Sequence, residues 1–249
     1  MKLFAHATRL SLALLAGLLL SSCGGGDPYA GLWKGTIDGN REANAIVLGD
    51  GTYYMVYSKP GDPTQLAGVL QGTGDFHGAT FTASNGRDYS WEGFGAQNAP
   101  VSGRIGARQS VSGSVSSAIR PSRSFSLSYK RDLDDDARLE ELAGSFAGTA
   151  WFILGPRPGV VFTVTKEGAV SSVINGCHIA GTARPRSDAN AFDLTLSFTH
   201  PVCAAALGRT PYVGVVLYHP DERRLEAALV NDPARVVQGQ AIVFNGIRQ

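Results

Sequence analysis

The chain has 249 residues, with 22 Lys and Arg against 21 Asp and Glu, and only 17% of its residues are charged. A balance so near neutral, with no basic cluster, excludes the cationic stripe on which a nucleic-acid partner depends. The length allows two modest domains.

The chain opens with Lys2 and Arg9, the apolar run Leu10 to Leu20, and then Ser21, Ser22 and Cys23. A short positive region, an apolar stretch and small residues before a cut describe a secretory signal peptide over residues 1–22. The run is shorter than the roughly 20 residues that a permanent membrane helix needs. Leu20-Ser21-Ser22-Cys23 also resembles the lipobox of bacterial lipoproteins. That resemblance implies a diacylglyceryl thioether on Cys23, cleavage just before it and acylation of the new amine. An ordinary secretory signal with an incidental cysteine is the plainer alternative. Gly24-Gly25-Gly26-Asp27-Pro28 follows, and glycine-rich segments are flexible coil, so residues 23–29 read as a tether. Position 24 is Gly rather than Asp, which by resemblance to enterobacterial sorting favours the outer membrane over the inner one.

Beyond the tether, short β-prone runs alternate with glycine turns across 31 glycines. Phe125, Leu127 and Tyr129 alternate with Ser124, Ser126 and Ser128. Phe192, Leu194, Leu196 and Phe198 alternate with Asp193, Thr195, Ser197 and Thr199, and Leu225, Ala227 and Leu229 form another such set. This period of two predicts antiparallel strands with one buried face and one wet face. A weak repeat divides the chain. Gly31-Leu32-Trp33-Lys34-Gly35-Thr36 is matched by Gly144-Ser145-Phe146-Ala147-Gly148-Thr149. Turn glycines follow in the same order, Gly51 in one half and Gly168 in the other, then Gly68 and Gly72 against Gly176 and Gly181.

The expected architecture is all-β: two tandem small antiparallel up-and-down barrel-like domains, over residues 30–130 and 144–249. Closing each sheet removes its exposed edges. Residues 131–143 are the most charged segment of the exported chain. With Asp134 to Asp136 suited to a helix N-terminus, they predict a linker ending in about two helical turns. A calcium loop is the sharper alternative there, but the spaced ligands and closing glutamate of an EF-hand are missing.

The G-x-W opening resembles the start of lipocalin-like barrels, which implies that Trp33, and Phe146 in the second half, pack across a barrel end. A lipidated tether carrying two β-rich halves also resembles the surface lipoproteins of Gram-negative bacteria, of which the factor H-binding and transferrin-binding lipoproteins are examples. The likeness is one of architecture. The other first-half aromatics, Tyr53, Tyr54, Phe76, Phe81, Tyr89, Trp91 and Phe94, read as core, with exposure on a binding face as the alternative.

Chemistry is sparse. No nucleophile elbow, zinc-protease helix or phosphate loop occurs. His77, His178, His200 and His219 are scattered and read as surface-turn residues. With Cys23 lipidated, Cys177 and Cys203 remain, and in an oxidising compartment two leftover thiols most simply form a disulfide. Asn175-Gly176 suits a two-residue hairpin turn, after which an antiparallel return would bring Cys203 back toward Cys177. Two separate buried thiols, or a metal site shared with His178 and His200, are the alternatives; the cysteines lack the close spacing of structural zinc sites. The functional expectation is a non-enzymatic, lipid-anchored envelope lipoprotein that needs no cofactor and binds a protein or glycan partner or supports the envelope. The alternative is a lipocalin-like carrier of a small apolar ligand.

Overall fold

The computed structural model describes residues 29–131, 136–207, 209–231 and 239–249. The chain is all-β in two sheets, as expected.

The first sheet begins with β1 (Gly31–Ile37), β2 (Arg41–Val47), β3 (Thr52–Lys59) and β4 (Asp62–Thr73). Short strands β5 (Asp75–His77), β6 (Thr80–Ala83), β7 (Arg87–Ser90) and β8 (Gly95–Asn98) follow. It ends with β9 (Val101–Gly106), β10 (Ser110–Val115) and β11 (Arg123–Lys130). Its eleven strands lie in the order β5-β6-β9-β10-β11-β1-β2-β3-β4-β7-β8.

That order hides a simpler one. The β4–β7 pairing, Gly68↔Ser90 to Gln71↔Arg87, resumes as Asp75↔Thr82 in β5–β6 after a slip of one residue. The β7–β8 pairing resumes in the same way as β6–β9. β4–β5, β6–β7 and β8–β9 are therefore three long strands, each kinked once, as bulged strands bend at a residue left out of the ladder. The side-chain amide oxygen of Asn85 accepts from Thr73 N at 3.0 Å, and the Gly86 carbonyl accepts from Ala99 N at 2.8 Å, across these kinks. Counted this way, neighbours follow chain order around a split barrel, and β11 pairs back onto β1.

The second sheet is a closed barrel in strict chain order. It comprises β12 (Gly144–Trp151), β13 (Arg157–Val164), β14 (Ala169–Ile174), β15 (Cys177–Pro185), β16 (Phe192–Phe198), β17 (Tyr212–His219), β18 (Arg224–Asn231) and β19 (Gln240–Arg248). Helix α1 (Leu139–Leu142) precedes it and α2 (Pro201–Leu207) interrupts it. The expected two turns of linker helix shrink to this four-residue α1, whose Leu142 is fully buried. Residues 136–138, described just before it, are not helical, although Ala137 packs against the barrel core.

The repeated opening has a physical meaning. Trp33 and Phe146 occupy equivalent inward positions, both with 0% exposure. Two residues on, a side chain at Gly35 would strike the Ser126 carbonyl, and one at Gly148 the Asn245 carbonyl. The aromatic fills the barrel, and the glycine lets the next strand close onto it.

The two lobes share a third core. Ile46, Tyr54, Val69 and Tyr89 on the outside of the first lobe meet Val215, Leu217, Val230 and Val243 on the outside of the second. Polar groups clamp the same seam: Asp188 Oδ2 accepts from Gly49 N at 2.7 Å, and Arg186 lies 3.5 Å from Asp50. The Arg186 hydrogen bonds hold the Asp188 carboxyl below the usual carboxylate range, against the opposing effect of burial. A depressed folded-state pKa contributes stability above the unfolded value of about 3.9, and that contribution disappears as pH falls through the lower folded value. Asp188→Asn should therefore destabilise the protein at pH 7, on the order of 1 kcal/mol after solvent screening. The difference from wild type should shrink as pH falls below the unfolded value of about 3.9, as read from urea midpoints at each pH.

Candidate functional site

Both barrel interiors are occupied by the protein's own side chains. In the first lobe Trp33, Tyr53, Met55, Phe81, Phe125 and Leu127 converge, leaving a void of about 30 Å³ lined only by apolar groups. That is about the volume of one water molecule. In the second lobe Phe146, Phe192, Leu196, Tyr212, Leu229 and Phe244 are all at most 1% exposed. Phe162 and Phe244 pack at 4.5 Å between ring centroids, and Phe146 meets Tyr218 edge-on at 5.7 Å.

One end of the first barrel is closed by buried charge. Asp88, on β7, accepts from Arg123 Nη2 at 2.6 Å, Tyr57 Oη at 2.7 Å and Arg120 Nη1 at 3.3 Å. Glu92 receives Arg41 at 3.1 Å and Arg120 at 3.3 Å. The Tyr57 ring lies beneath two guanidinium groups, with Arg123 at 5.2 Å and Arg41 at 5.9 Å from its centroid. Burial works against the Arg123 charge, yet Asp88 and Tyr57 hold its pKa above the ordinary arginine value. Burial first, then the Asp88 charge, pushes the Tyr57 hydroxyl well above its usual range. The cluster draws on β2, β3, β7, β11 and two loops. No local motif announces it; the only signal in the sequence is the presence of arginines at inward strand positions, such as Arg123 in the Arg123-Phe125-Leu127 row.

Between the lobes lies a cleft of about 240 Å³. Leu32 and Ile46 line one wall, Leu217 and Val243 the other, and Glu42 and Glu226 bring carboxylates to it. Glu226 is already engaged by Arg224 and lies 3.3 Å from His219.

Cys177 and Cys203 are joined, as expected, with Cα atoms 5.7 Å apart. Asn175 and Gly176 both have positive φ, 51° and 75°, and form the two-residue turn that opens β15 at Cys177. Cys203 lies on α2, a helix not foreseen in the sequence, so the bond ties α2 to the hairpin. Closing a loop of 26 residues stabilises by about 3 kcal/mol under the chain-entropy account. The bond also removes both thiols from any metal site with His178 and His200. Among the described residues, no group of three or more His, Cys, Asp or Glu side chains is arranged to hold a metal ion.

His77, His178 and His200 are exposed, as read from the sequence. His219 is not: it is 7% exposed, because β17 is covered on both faces. The aromatics also divide. Trp33, Tyr53 and Phe81 point inward, whereas Tyr54 and Tyr89 face the other lobe and Phe94 is 39% exposed. The Tyr54 hydroxyl is pushed up to about 12 by burial at that seam and then by the nearby Asp193 and Asp50 charges. Cys23 and the expected calcium-loop residues Asp134 and Asp135 lie outside the described residues.

No protein-family model matches the chain, and no curated protein matches it. Among solved structures it is similar to the isotype 1 transferrin binding protein B from serogroup B Neisseria meningitidis, with 10% identity and a TM-score of 0.29. The alignment covers 84% of this chain and 65% of that protein's chain.

Proposed function

We propose that the chain is a lipid-anchored, non-enzymatic binding module of the bacterial cell envelope. In this reading Cys23 is acylated after removal of residues 1–22, residues 23–29 are the tether, and the outer membrane is the destination. Residues 30–130 and 144–249 are the two domains and 131–143 the linker. The partner, a protein or a glycan, meets the outer surface of the lobes.

The filling of both interiors carries this reading. A void of about 30 Å³ behind Trp33 is far below the several hundred Å³ of a small-molecule pocket. The lipocalin-like carrier alternative loses its binding space, and whatever the module recognises must meet it from outside. Several acyl chains on Cys23 supply firm anchoring, since each buried CH₂ contributes roughly 0.8 kcal/mol.

Metabolic labelling with an alkynyl palmitate tests the anchor. The wild-type chain should take up label and pellet with membranes; Cys23→Ala should take up none and retain the mass of the uncut precursor. Label on the Cys23→Ala chain, or none on wild type, rejects the assignment. Solvent extraction of the purified protein followed by mass spectrometry tests the binding mode, and a stoichiometric apolar ligand would restore the carrier reading.

A further inference from the structure

The outer faces that meet between the lobes are not uniformly apolar. On the first lobe the cross-strand row Leu32, Ile46, Tyr54 belongs to the shared core, whereas the next row carries Asn44 and the one beyond it Glu42. On the second lobe the row Val215, Ala228, Val243 belongs to that core, and the next pairs Glu226 with Asn245. Residues two apart on a strand share a face, so each wall runs from apolar to polar. Ile46, Ala228 and Val243 are buried, Asn44, Asn245 and Glu226 half-buried, and Glu42 exposed. The cleft of about 240 Å³ between these walls therefore has an apolar floor and a polar mouth. That volume, just below the usual range for drug-sized ligands, suits a body of roughly ten non-hydrogen atoms, and small-molecule sites favour interfaces between domains.

Of the carboxylates near this mouth, Glu222 and Glu226 have cations. Arg224 lies 2.6 Å from Glu222 and also pairs with Glu226, which is 3.3 Å from His219. The half-buried Lys34, opposite Asn44, acts on Glu222 as well. Glu42 is left without an ion pair, because its chain neighbour Arg41 turns inward to Glu92. Among the described residues, neither the Glu42 carboxylate nor the side-chain amides of Asn44 and Asn245 bond another protein group. No lysine, arginine or histidine lines the cleft.

These features select the occupant. An anion would find no free cation and would face the unpaired Glu42. A wholly apolar molecule would fill the floor but strip water from the mouth without replacing its hydrogen bonds. An ammonium group carries three donors, and the mouth offers it a carboxylate and two amide oxygens. We propose that the cleft between the lobes binds a small primary amine, its compact apolar body between Ile46 and Val243 and its ammonium donating to Glu42 and the amide oxygens. The site lies outside both barrels and goes beyond the binding-module reading, which its failure would leave in place.

Calorimetric titration of the full chain with phenethylamine, phenethyl alcohol and hydrocinnamate separates charge from shape. The amine should bind at a single site with a Kd on the order of 1 mM. The alcohol should bind about fivefold more weakly, the measure of a solvent-exposed ion pair, and the acid not measurably. Glu42→Gln should bring the amine to the affinity of the alcohol and leave the alcohol unchanged. Ala228→Leu, which fills the floor, should abolish binding of both while circular dichroism stays the same. The proposal is overturned by absent amine binding, by equal affinity for amine and acid, or by an amine affinity that either variant leaves intact. A dimer in sedimentation equilibrium that Ala228→Leu dissociates would give the cleft to a second copy of the chain and overturn it as well.

Discussion

Asp88→Ala lowers the unfolding free energy by about 3–5 kcal/mol, the range for breaking a buried ion pair from one side. The carboxylate is 3% exposed and accepts from Arg123, Arg120 and Tyr57 at once. Without it, the Arg123 guanidinium stays equally buried and loses its charged partner, although its Nε and Nη1 already lack hydrogen-bond partners. The loss therefore measures a stranded cation rather than the strength of one bond. Asp88→Asn should cost less, because an acceptor survives. Pairing Asp88→Leu with Arg123→Met should recover most of the stability, since well-packed apolar groups commonly replace a buried pair without penalty. Urea midpoints for the three variants check this, and a cost below about 1 kcal/mol for Asp88→Ala would mean that solvent reaches the cluster.

Trp33→Ala is expected to cost a similar amount, about 3–5 kcal/mol, as large aromatic truncations in packed cores do. Trp33 is 0% exposed, packs edge-on against Tyr129 at 5.1 Å, and adjoins the existing void of about 30 Å³. Strands on either side are hydrogen-bonded around the ring, so they cannot collapse far into the new cavity. The indole Nε1 has no partner, so Trp33→Phe forfeits volume but no hydrogen bond and should cost clearly less than Trp33→Ala, in proportion to the smaller cavity it leaves. Comparable losses for both variants would show that the ring's outer edge, rather than its bulk, holds the barrel.

Part of this structure was legible before folding. The alternating run from Phe192 to Phe198 became a strand with Phe192, Leu194 and Leu196 buried and Asp193 and Thr195 exposed. The matched glycine-aromatic-glycine openings became equivalent first strands. Asn175-Gly176 became the turn that starts β15 at Cys177, and Cys177 joined Cys203. These features are local: they follow from side-chain period, from glycine's missing Cβ and from the scarcity of thiols.

The aromatics show where local rules end. Tyr53 and Tyr54 are neighbours, so a strand must point them to opposite faces, and both could not join one core. Continuous apolar runs such as Tyr53–Tyr57 and Tyr212–Tyr218 signal strands covered on both sides. The sequence alone does not say what covers the outer side. The answer, the other lobe, required strands distant in the chain to be brought face to face. The same holds for Arg41, Tyr57, Asp88, Glu92, Arg120 and Arg123, which meet only because the barrel gathers its loops at one end.

By itself, then, the sequence determined the β class, the strand period, the turn chemistry, the repeated openings and the cysteine pair available for bonding, all properties of residues a few positions apart. The tertiary structure decided that both interiors are full, that the lobes share a core, that His219 is buried, and that a cleft with a polar mouth remains between the lobes. Each of these depends on register and on what lies across the next layer, and periodicity along a single strand does not encode either.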